Sequence, residues 1–196
     1  MGHLKKTKRD EIMQATLELI AEHGFHGAPT AMIAEKANVA IGSIYRYFEN
    51  KDALVNELYY EIENRIFEAI IANYQKEKPI KERFSHIGEK LLKYLIANPM
   101  AFRFVEQFHN SPYGVAVRRE RLFAEKNKTG KTDILKELYR EGKANQLIKD
   151  VQLPVFFALA LGALVAVARN HILGFIKLDD HRIDQIVGAC WDAVKR

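Results

Sequence analysis

Apolar residues recur three or four positions apart along most of the chain, and no stretch alternates between apolar and polar residues as a half-buried strand does. The first apolar stripe runs from Ile12 to Ile20. Thr7 stands where a helix N-cap is expected, with Asp10 three residues later as its partner in a capping box. Gly24 stands where the helix ends, because glycine readily adopts the backbone of a C-terminal cap. The pattern predicts an all-α fold.

Two short helices follow, joined by a tight turn. Thr30 is placed to be the N-cap of the first, which runs to Ala37, and Asn38 tolerates the positive φ of a turn. In the second, Ile44 and Phe48 lie four residues apart and share a face that turns inward. A helix this short is not stable alone, so its neighbours must hold it. The arrangement is typical of a helix-turn-helix whose second helix is displayed for recognition.

The remainder of the chain is also predicted to be helical. Asn50 is placed to cap a fourth helix, which is long enough to leave one domain and enter another. Pro99 and Pro112 mark later helix boundaries. Residues 151–168 carry no charge and approach the length of a membrane span. Their alanine and glycine content, and the Arg169 that follows, favour instead a buried helix in a core or at a subunit interface, with no membrane association.

Composition limits the partners and the compartment. The 196 residues carry a formal net charge of +5, with a pI near 9.2, which permits a polyanionic partner without requiring one. Residues 1–55 hold seven acidic and seven basic side chains, so any DNA-facing positive surface must arise from their placement. The single Cys190 excludes an internal disulfide and fits a reducing, cytoplasmic compartment. No apolar run follows the N-terminal charges, so no signal peptide is expected.

The second short helix carries side chains suited to DNA recognition. Ser43 offers a hydroxyl, Tyr45 and Tyr47 offer rings and hydroxyls, and Gly42 permits close backbone approach. Arg46 offers a fork for guanine or a charge for phosphate. Further phosphate and minor-groove contacts would come from Lys51 and from a basic arm of Lys5, Lys6, Lys8 and Arg9. The alternative is a surface helix whose tyrosines pack within the chain.

Residues 7–60 resemble the N-terminal DNA-binding domain of the TetR (tetracycline-repressor) family of one-component regulators. The resemblance rests on two stretches, IMQATLELIAEHGF and TAMIAEKANVAIGSIYRYFENKDAL. It implies an all-helical homodimer that binds a partly palindromic operator, usually to repress. By the family's pattern the DNA-contacting positions are Thr30, Ser43, Tyr45, Tyr47 and Lys51.

The sequence departs from the family's pattern at three positions. Ala31 replaces a frequent polar residue, Ala40 lacks a capping hydroxyl, and the apolar Ile41 suits contact with a thymine methyl group. The operator sequence therefore stays open. The full set of predicted DNA-binding residues is Thr30, Ile41, Gly42, Ser43, Tyr45, Arg46, Tyr47 and Lys51.

The resemblance implies a DNA-binding domain over residues 1–52 and an effector-binding and dimerisation domain over residues 53–196, with the last two helices pairing across a two-fold axis. Aromatic side chains are concentrated in the second part, as in apolar ligand pockets, although a hydrophobic core shows the same enrichment. The expected effector is an apolar or aromatic small molecule. The predicted ligand-binding residues are Phe102, Phe104, Glu106, Phe108, His109, Tyr113, Phe123, Phe157 and Arg169.

Two other functions remain as alternatives. The first is a small-molecule-binding helical protein without a specific operator. The second is a helical-bundle metalloenzyme, since Glu106 and His109 have the Glu-x-x-His spacing of di-iron proteins. That chemistry requires a second copy of the motif and two more glutamates, and no second copy is present. We therefore expect no enzymatic activity, no metal and no cofactor.

Overall fold

The computed structural model describes residues 7–123 and 133–196, and it confirms the all-α fold. Within these two ranges the sole β pairing is an isolated bridge between Ile148 and Lys195. The helices are α1 (Lys8–His23), α2 (Thr30–Lys36), α3 (Ile41–Tyr47), α4 (Lys51–Ile71), α5 (Ile80–Ala97), α6 (Pro99–His109), α7 (Pro112–Phe123), α8 (Ile134–Ala144), α9 (Leu153–Phe157), a π-helical turn (Ala158–Gly162), α10 (Ala163–Ile172) and α11 (Asp180–Val194).

Side-chain caps fix the starts of α1 and α4 as the sequence predicts. The Asp10 amide donates to Thr7 Oγ1 at 3.2 Å, and the Thr7 amide donates to Asp10 Oδ2 at 3.0 Å. At α4, the Ala53 amide donates to Asn50 Oδ1 at 2.8 Å. Each contact satisfies a backbone donor that has no partner inside its own helix.

The chain folds into two compact units. One comprises Met1–Asn64 and Met100–Val117, and the other comprises Arg65–Pro99 and Arg118–Arg196. Helices α4 and α7 each continue from the first unit into the second. The predicted domain boundary between residues 52 and 53 stays a prediction.

The core of the first unit comes from the apolar stripes of α1, α2 and α3. Ile12, Ile20, Ile33 and Ile44 are fully buried there. Burial of each such side chain stabilises the unit by about 1.5–3 kcal/mol. The short α2 and α3 therefore depend on α1 for their stability, as their length requires.

The core of the second unit centres on the contact of α5 with α10 and α11. The rings of Phe84 and Trp191 lie 5.4 Å apart between centroids. Gly88 permits this close approach, because a Cβ at that position would lie 3.0 Å from a methyl carbon of Val187. The apolar face of α5 is thus covered along its length.

Among the described residues, the charge-free helix is buried on one face. Phe156, Ala160, Leu164 and Ala168 point into the second unit and are fully buried. The opposite face exposes Val155, Leu159, Gly162 and Ala163, which we call the exposed stripe.

The described residues bury one face of this helix in a core, and the expectation of a subunit interface on the other face stays a prediction. Leu153–Ile172 is long and apolar enough to cross a membrane by length and composition alone, and 22% of the tested window is buried. A helix that is apolar all round is typically buried on several faces, and the described residues cover one face of this helix.

Arg83 is a buried cation inside the second unit. Its Nη1 donates to Glu141 Oε2 at 2.6 Å, and its Nε donates to Tyr74 Oη at 2.9 Å. These contacts join the segment after α4 to α5 and α8. A buried charge is tolerated only when it is paired and hydrogen-bonded, so the fold needs the Glu141 carboxylate.

We expect Glu141→Ala to lower the free energy of unfolding by about 1–3 kcal/mol, because it leaves the buried guanidinium short of its charged partner. The matched control is Glu137→Ala on the same helix. Glu137 pairs at 3.4 Å with the exposed Lys76, so its loss should cost less than about 1 kcal/mol. Urea unfolding of both variants measures the difference, and equal losses would contradict the assignment.

Candidate nucleic-acid interface

The turn between α2 and α3 has the predicted geometry. Asn38 has a φ of 51°, in the left-handed region that asparagine tolerates. Its amide donates to the Glu35 carbonyl at 3.0 Å, and the Val39 amide donates to the Ala34 carbonyl at 3.0 Å. These bonds close the end of α2 and turn the chain into α3. The two helices form a helix-turn-helix.

Helix α3 separates anchoring side chains from displayed ones. Ile44 and Phe48 are buried, as predicted from their spacing. Ile41, Tyr45 and Tyr47 expose 48%, 53% and 46% of their surface. Gly42 and Arg46 are also exposed, and Ser43 is half-buried. The predicted DNA-binding residues of α3 therefore form one accessible surface.

The polar groups of this surface are available to a partner. Within the described part of the chain, the Tyr45 and Tyr47 hydroxyls and the Arg46 guanidinium form no hydrogen bond or ion pair. The Tyr47 ring lies beside Phe48, with centroids 6.5 Å apart. The displayed donors are thus not used by hydrogen bonds within the described part of the chain.

Gly42 has no role in the packing of the chain itself. A Cβ at this position would meet nothing within 4 Å, and its φ is not positive. The fold would therefore accept alanine, which favours helix by about 1 kcal/mol. Glycine at this position suits close approach of the α3 backbone by another molecule.

Thr30 and Lys51, which are predicted to contact DNA, lie outside α3. Thr30 is the first residue of α2 and is half-buried. Its predicted capping role is wrong: Pro29, with φ fixed near −64° and ψ at 153°, occupies the N-cap position, and no side chain caps α2. At the start of α3, Ala40 likewise provides no side-chain cap, as the sequence predicts.

Lys51 has a structural contact that the sequence does not reveal. Its Nζ donates to the Phe25 carbonyl at 2.9 Å, across the end of α1. Burial lowers the pKa of Lys51, and the neighbouring Asp52 opposes that shift. An ammonium carries three donors, so the contact leaves others for a phosphate.

The described part of the predicted basic arm is engaged within the chain. Arg9 pairs with Glu57 at 2.6 Å and with Glu61 at 3.9 Å, and its guanidinium lies 5.6 Å from the centre of the Phe48 ring. Lys8 pairs with a neighbouring glutamate on α1. Arg9 therefore packs on Phe48, which anchors α3, and does not extend away from the chain as an arm would. Lys5 and Lys6 lie outside the described residues.

Three of the nine predicted ligand-binding residues belong to an aromatic cluster in the first unit. Phe108 stacks on Tyr59 with ring centroids 3.9 Å apart, and Phe104 and Tyr113 lie 6.1 and 6.4 Å from Phe108. Phe25 completes the cluster at 5.3 Å from Tyr113. Phe104 and Phe108 are fully buried, so the rings fill space between α4, α6 and the end of α1.

The other predicted ligand-binding residues are divided between the two units. Phe102 is buried and Glu106 is half-buried, and both belong to the first unit. His109 Nε2 lies 3.1 Å from Tyr59 Oη, whose hydroxyl donates to Glu63 Oε1 at 2.6 Å.

The second unit holds the half-buried Phe157 and the exposed Arg169. The side chain of Phe123 lies outside the described residues. In the described ranges, no group of three His, Cys, Asp or Glu side chains could hold a metal ion.

Neighbouring residues of α3 should differ sharply in their effect on stability. Ile44→Ala removes a buried anchor and should lower the free energy of unfolding by about 2–5 kcal/mol. Tyr45→Ala alters a displayed side chain and should change it by less than about 0.5 kcal/mol. Denaturant titration of the two variants tests this division, and a comparable loss from Tyr45→Ala would mean that its ring packs within the chain.

Two family models match the chain. One is described as "Bacterial regulatory proteins, tetR family" and matches residues 12–58. The other is described as "Tetracyclin repressor-like, C-terminal domain" and matches residues 79–195, which is more than half of the chain. The first match contains the whole helix-turn-helix and the displayed surface of α3.

Individual relatives agree with the family models. The chain is 27% identical over 112 residues to a Haemophilus influenzae HTH-type transcriptional regulator of uncharacterised role, covering 57% of this chain and 60% of that protein. It is 33% identical over 86 residues to the "Fatty acid metabolism regulator protein" of Bacillus subtilis, covering 44% of each. The chain thus spans less than two thirds of these relatives.

A solved structure extends the similarity to nearly the full length. A TetR-family transcriptional regulator from Vibrio parahaemolyticus is 30% identical, with a TM-score of 0.74, and the match covers 97% of this chain and 99% of that one. Family models and structural similarity therefore cover both the helix-turn-helix and the helices that follow it. The chain belongs to the tetR family of bacterial regulatory proteins, which are DNA-binding transcriptional regulators.

Proposed function

We propose that this chain is a ligand-responsive transcriptional repressor that binds a palindromic operator as a homodimer. The proposal depends on the surface of α3, where Tyr45, Arg46 and Tyr47 are exposed above buried anchors and form no hydrogen bond or ion pair with the described residues. A regulator of this kind acts where the DNA is, so its proposed location is the cytoplasm.

The displayed groups suit the major groove. Arg46 can donate both arms of its guanidinium to guanine, and Ile41 offers an apolar contact to a thymine methyl group. The Tyr45 and Tyr47 hydroxyls donate to phosphate oxygens, which fixes the register of the helix on the duplex. Gly42 lets the start of α3 approach the DNA backbone. Base contacts and phosphate contacts are thus supplied by one helix.

Gly42→Ala should separate stability from DNA binding. We expect the free energy of unfolding to rise by up to about 1 kcal/mol, because alanine favours helix and the site is open. Affinity for a duplex that the wild-type chain enriches from a random-sequence pool should fall at least about tenfold, equivalent to 1.4 kcal/mol. Thermal unfolding and fluorescence anisotropy measure the two effects, and unchanged duplex affinity would contradict close approach at Gly42.

The exposed stripe supports the proposed dimer. Leu159 supplies apolar area, while Gly162 and Ala163 permit close approach of a second helix. The same surface on a second copy would meet it across a two-fold axis, with the last helix, α11, alongside. Such a dimer presents two recognition helices to half-sites about one DNA turn apart.

Leu159→Glu should dissociate the dimer, because a two-fold axis brings two like charges together in an apolar contact. We expect the dimer dissociation constant to rise at least about a hundredfold, since like-charge juxtaposition costs several kcal/mol. Val115→Glu on α7 is the matched control, because Val115 is 64% exposed and lies outside the stripe. Sedimentation equilibrium measures both variants, and an intact Leu159→Glu dimer would place the interface elsewhere.

The proposed effector is an apolar or aromatic small molecule that alters DNA affinity. Support comes from Phe157, a half-buried aromatic side chain of the predicted ligand-binding set in the second unit. The name of the Bacillus subtilis relative adds fatty acids and their derivatives as one apolar class to consider. Helices α4 and α7, which continue through both units, provide covalent routes by which binding can reach the DNA-binding surface.

A further inference from the structure

The first turn of α4 contacts two other parts of the first unit at one point. Lys51 Nζ donates to the Phe25 carbonyl at 2.9 Å, and the Tyr113 hydroxyl donates to Asp52 Oδ1 at 2.8 Å. The rings of Phe25 and Tyr113 lie 5.3 Å apart between centroids, which closes the set. We call these four residues, Phe25, Lys51, Asp52 and Tyr113, the α4 junction.

The junction lies close in sequence to the recognition helix. Helix α3 ends at Tyr47, Phe48 is buried directly after it, and α4 begins at Lys51. The connection of Glu49 and Asn50 is closed by the Asn50 cap of α4. Because so short a connection has little freedom, a displacement of the first turn of α4 displaces the end of α3.

Tyr113 is held firmly on its own side of the contact. It follows Pro112, the first residue of α7, and the Ser111 hydroxyl donates to the Phe108 carbonyl at 2.7 Å. Gly114 packs so closely on the Phe108 carbonyl that a Cβ would collide with it. The corner between α6 and α7 is therefore tight, and the Tyr113 ring also lies near Phe108.

The hydrogen bond is suited to persist at neutral pH. Burial, and then the bond to the Asp52 carboxylate, raises the pKa of Tyr113 above its ordinary value. The phenol therefore stays protonated and donates, while the carboxylate accepts. Hydrogen bonds to charged acceptors are stronger than those between neutral groups.

We propose that Tyr113 is a positioning residue for DNA binding, which holds the first turn of α4, and with it α3, through Asp52 and Phe25. Tyr113 lies outside the displayed α3 surface, so its effect on DNA passes through the junction. Helix α7 continues from Tyr113 into the second unit, so an event there reaches α4 along one helix. The inference rests on the proposed operator-binding function.

Three variants isolate the hydrogen bond. Tyr113→Phe keeps the ring on Phe25 and removes the donor. Asp52→Ala removes the acceptor together with the charge, whereas Asp52→Asn removes the charge and keeps an oxygen acceptor. The two Asp52 variants are matched in charge, so a difference between them does not arise from changed repulsion of DNA phosphates.

Binding is measured with two duplexes, one that the wild-type chain enriches from a random pool and one of random sequence. We expect Tyr113→Phe and Asp52→Ala each to weaken binding to the enriched duplex about three- to tenfold, which lies within the range of indirect coupling effects. Asp52→Asn should bind almost as the wild type does. The double variant Tyr113→Phe/Asp52→Ala should be no weaker than Asp52→Ala alone, because both changes break the same bond.

Results that contradict the positioning role differ from those that contradict the proposed function. Full affinity of Tyr113→Phe for the enriched duplex, or independent losses that multiply in the double variant, would overturn the positioning role and leave operator binding intact. A lower melting temperature with unchanged affinity well below that temperature would show a structural role only, and would also overturn it. Failure of the wild-type chain to enrich any duplex would overturn the proposed function together with this inference.

Discussion

The seven-residue recognition helix exists because Ile44 and Phe48 are buried beneath it. A helix of this length has too few internal hydrogen bonds to offset the cost of its nucleation. Its conformation is therefore imposed by tertiary contacts with α2 and α1, including Arg9 over the Phe48 ring. The other side chains of α3 are not needed to anchor the helix, so they are available to contact a partner.

The need to hold α3 in place also explains the ion pairs around the interface. Arg9 looks like a DNA-facing cation in the sequence, yet it joins α1 to Glu57 on α4. Lys51 looks like a phosphate ligand, yet it also binds the Phe25 carbonyl. Cations near a helix-turn-helix thus hold the neighbouring helices in place, as well as adding positive charge to the surface. Rigid presentation matters because base recognition depends on hydrogen bonds of narrow geometry.

Local physics made the helices and the turn predictable from the sequence. Thr7, Gly24, Asn38 and Asn50 each act through neighbours within a few residues, so their roles follow from spacing alone. Thr30 was misplaced by one position, because the fixed φ of Pro29 competes with a threonine cap. Periodicity shows which face of a helix is apolar, and it does not show what covers that face.

Contacts between residues far apart in the sequence could not be predicted from local patterns. Tyr113 and Asp52 are separated by 61 positions, and no local pattern pairs them. The aromatic residues from Phe104 to Tyr113 were predicted to line a ligand pocket from their composition, whereas the structure packs several of them onto Phe25 and Tyr59. Composition shows how much apolar surface a segment has. Which side chains that surface packs against is determined by the fold.

The π-helical turn at Ala158–Gly162 makes this helix tolerant of a change in chain length. A π turn holds about one more residue than an α-helical turn, so the wider turn takes up the rotation that an added residue would otherwise give to the helix beyond it. Phe156 before the turn and Leu164 after it accordingly lie on the same buried face. A related chain with one residue fewer here would form a regular helix and keep the same side chains of α10 facing the core.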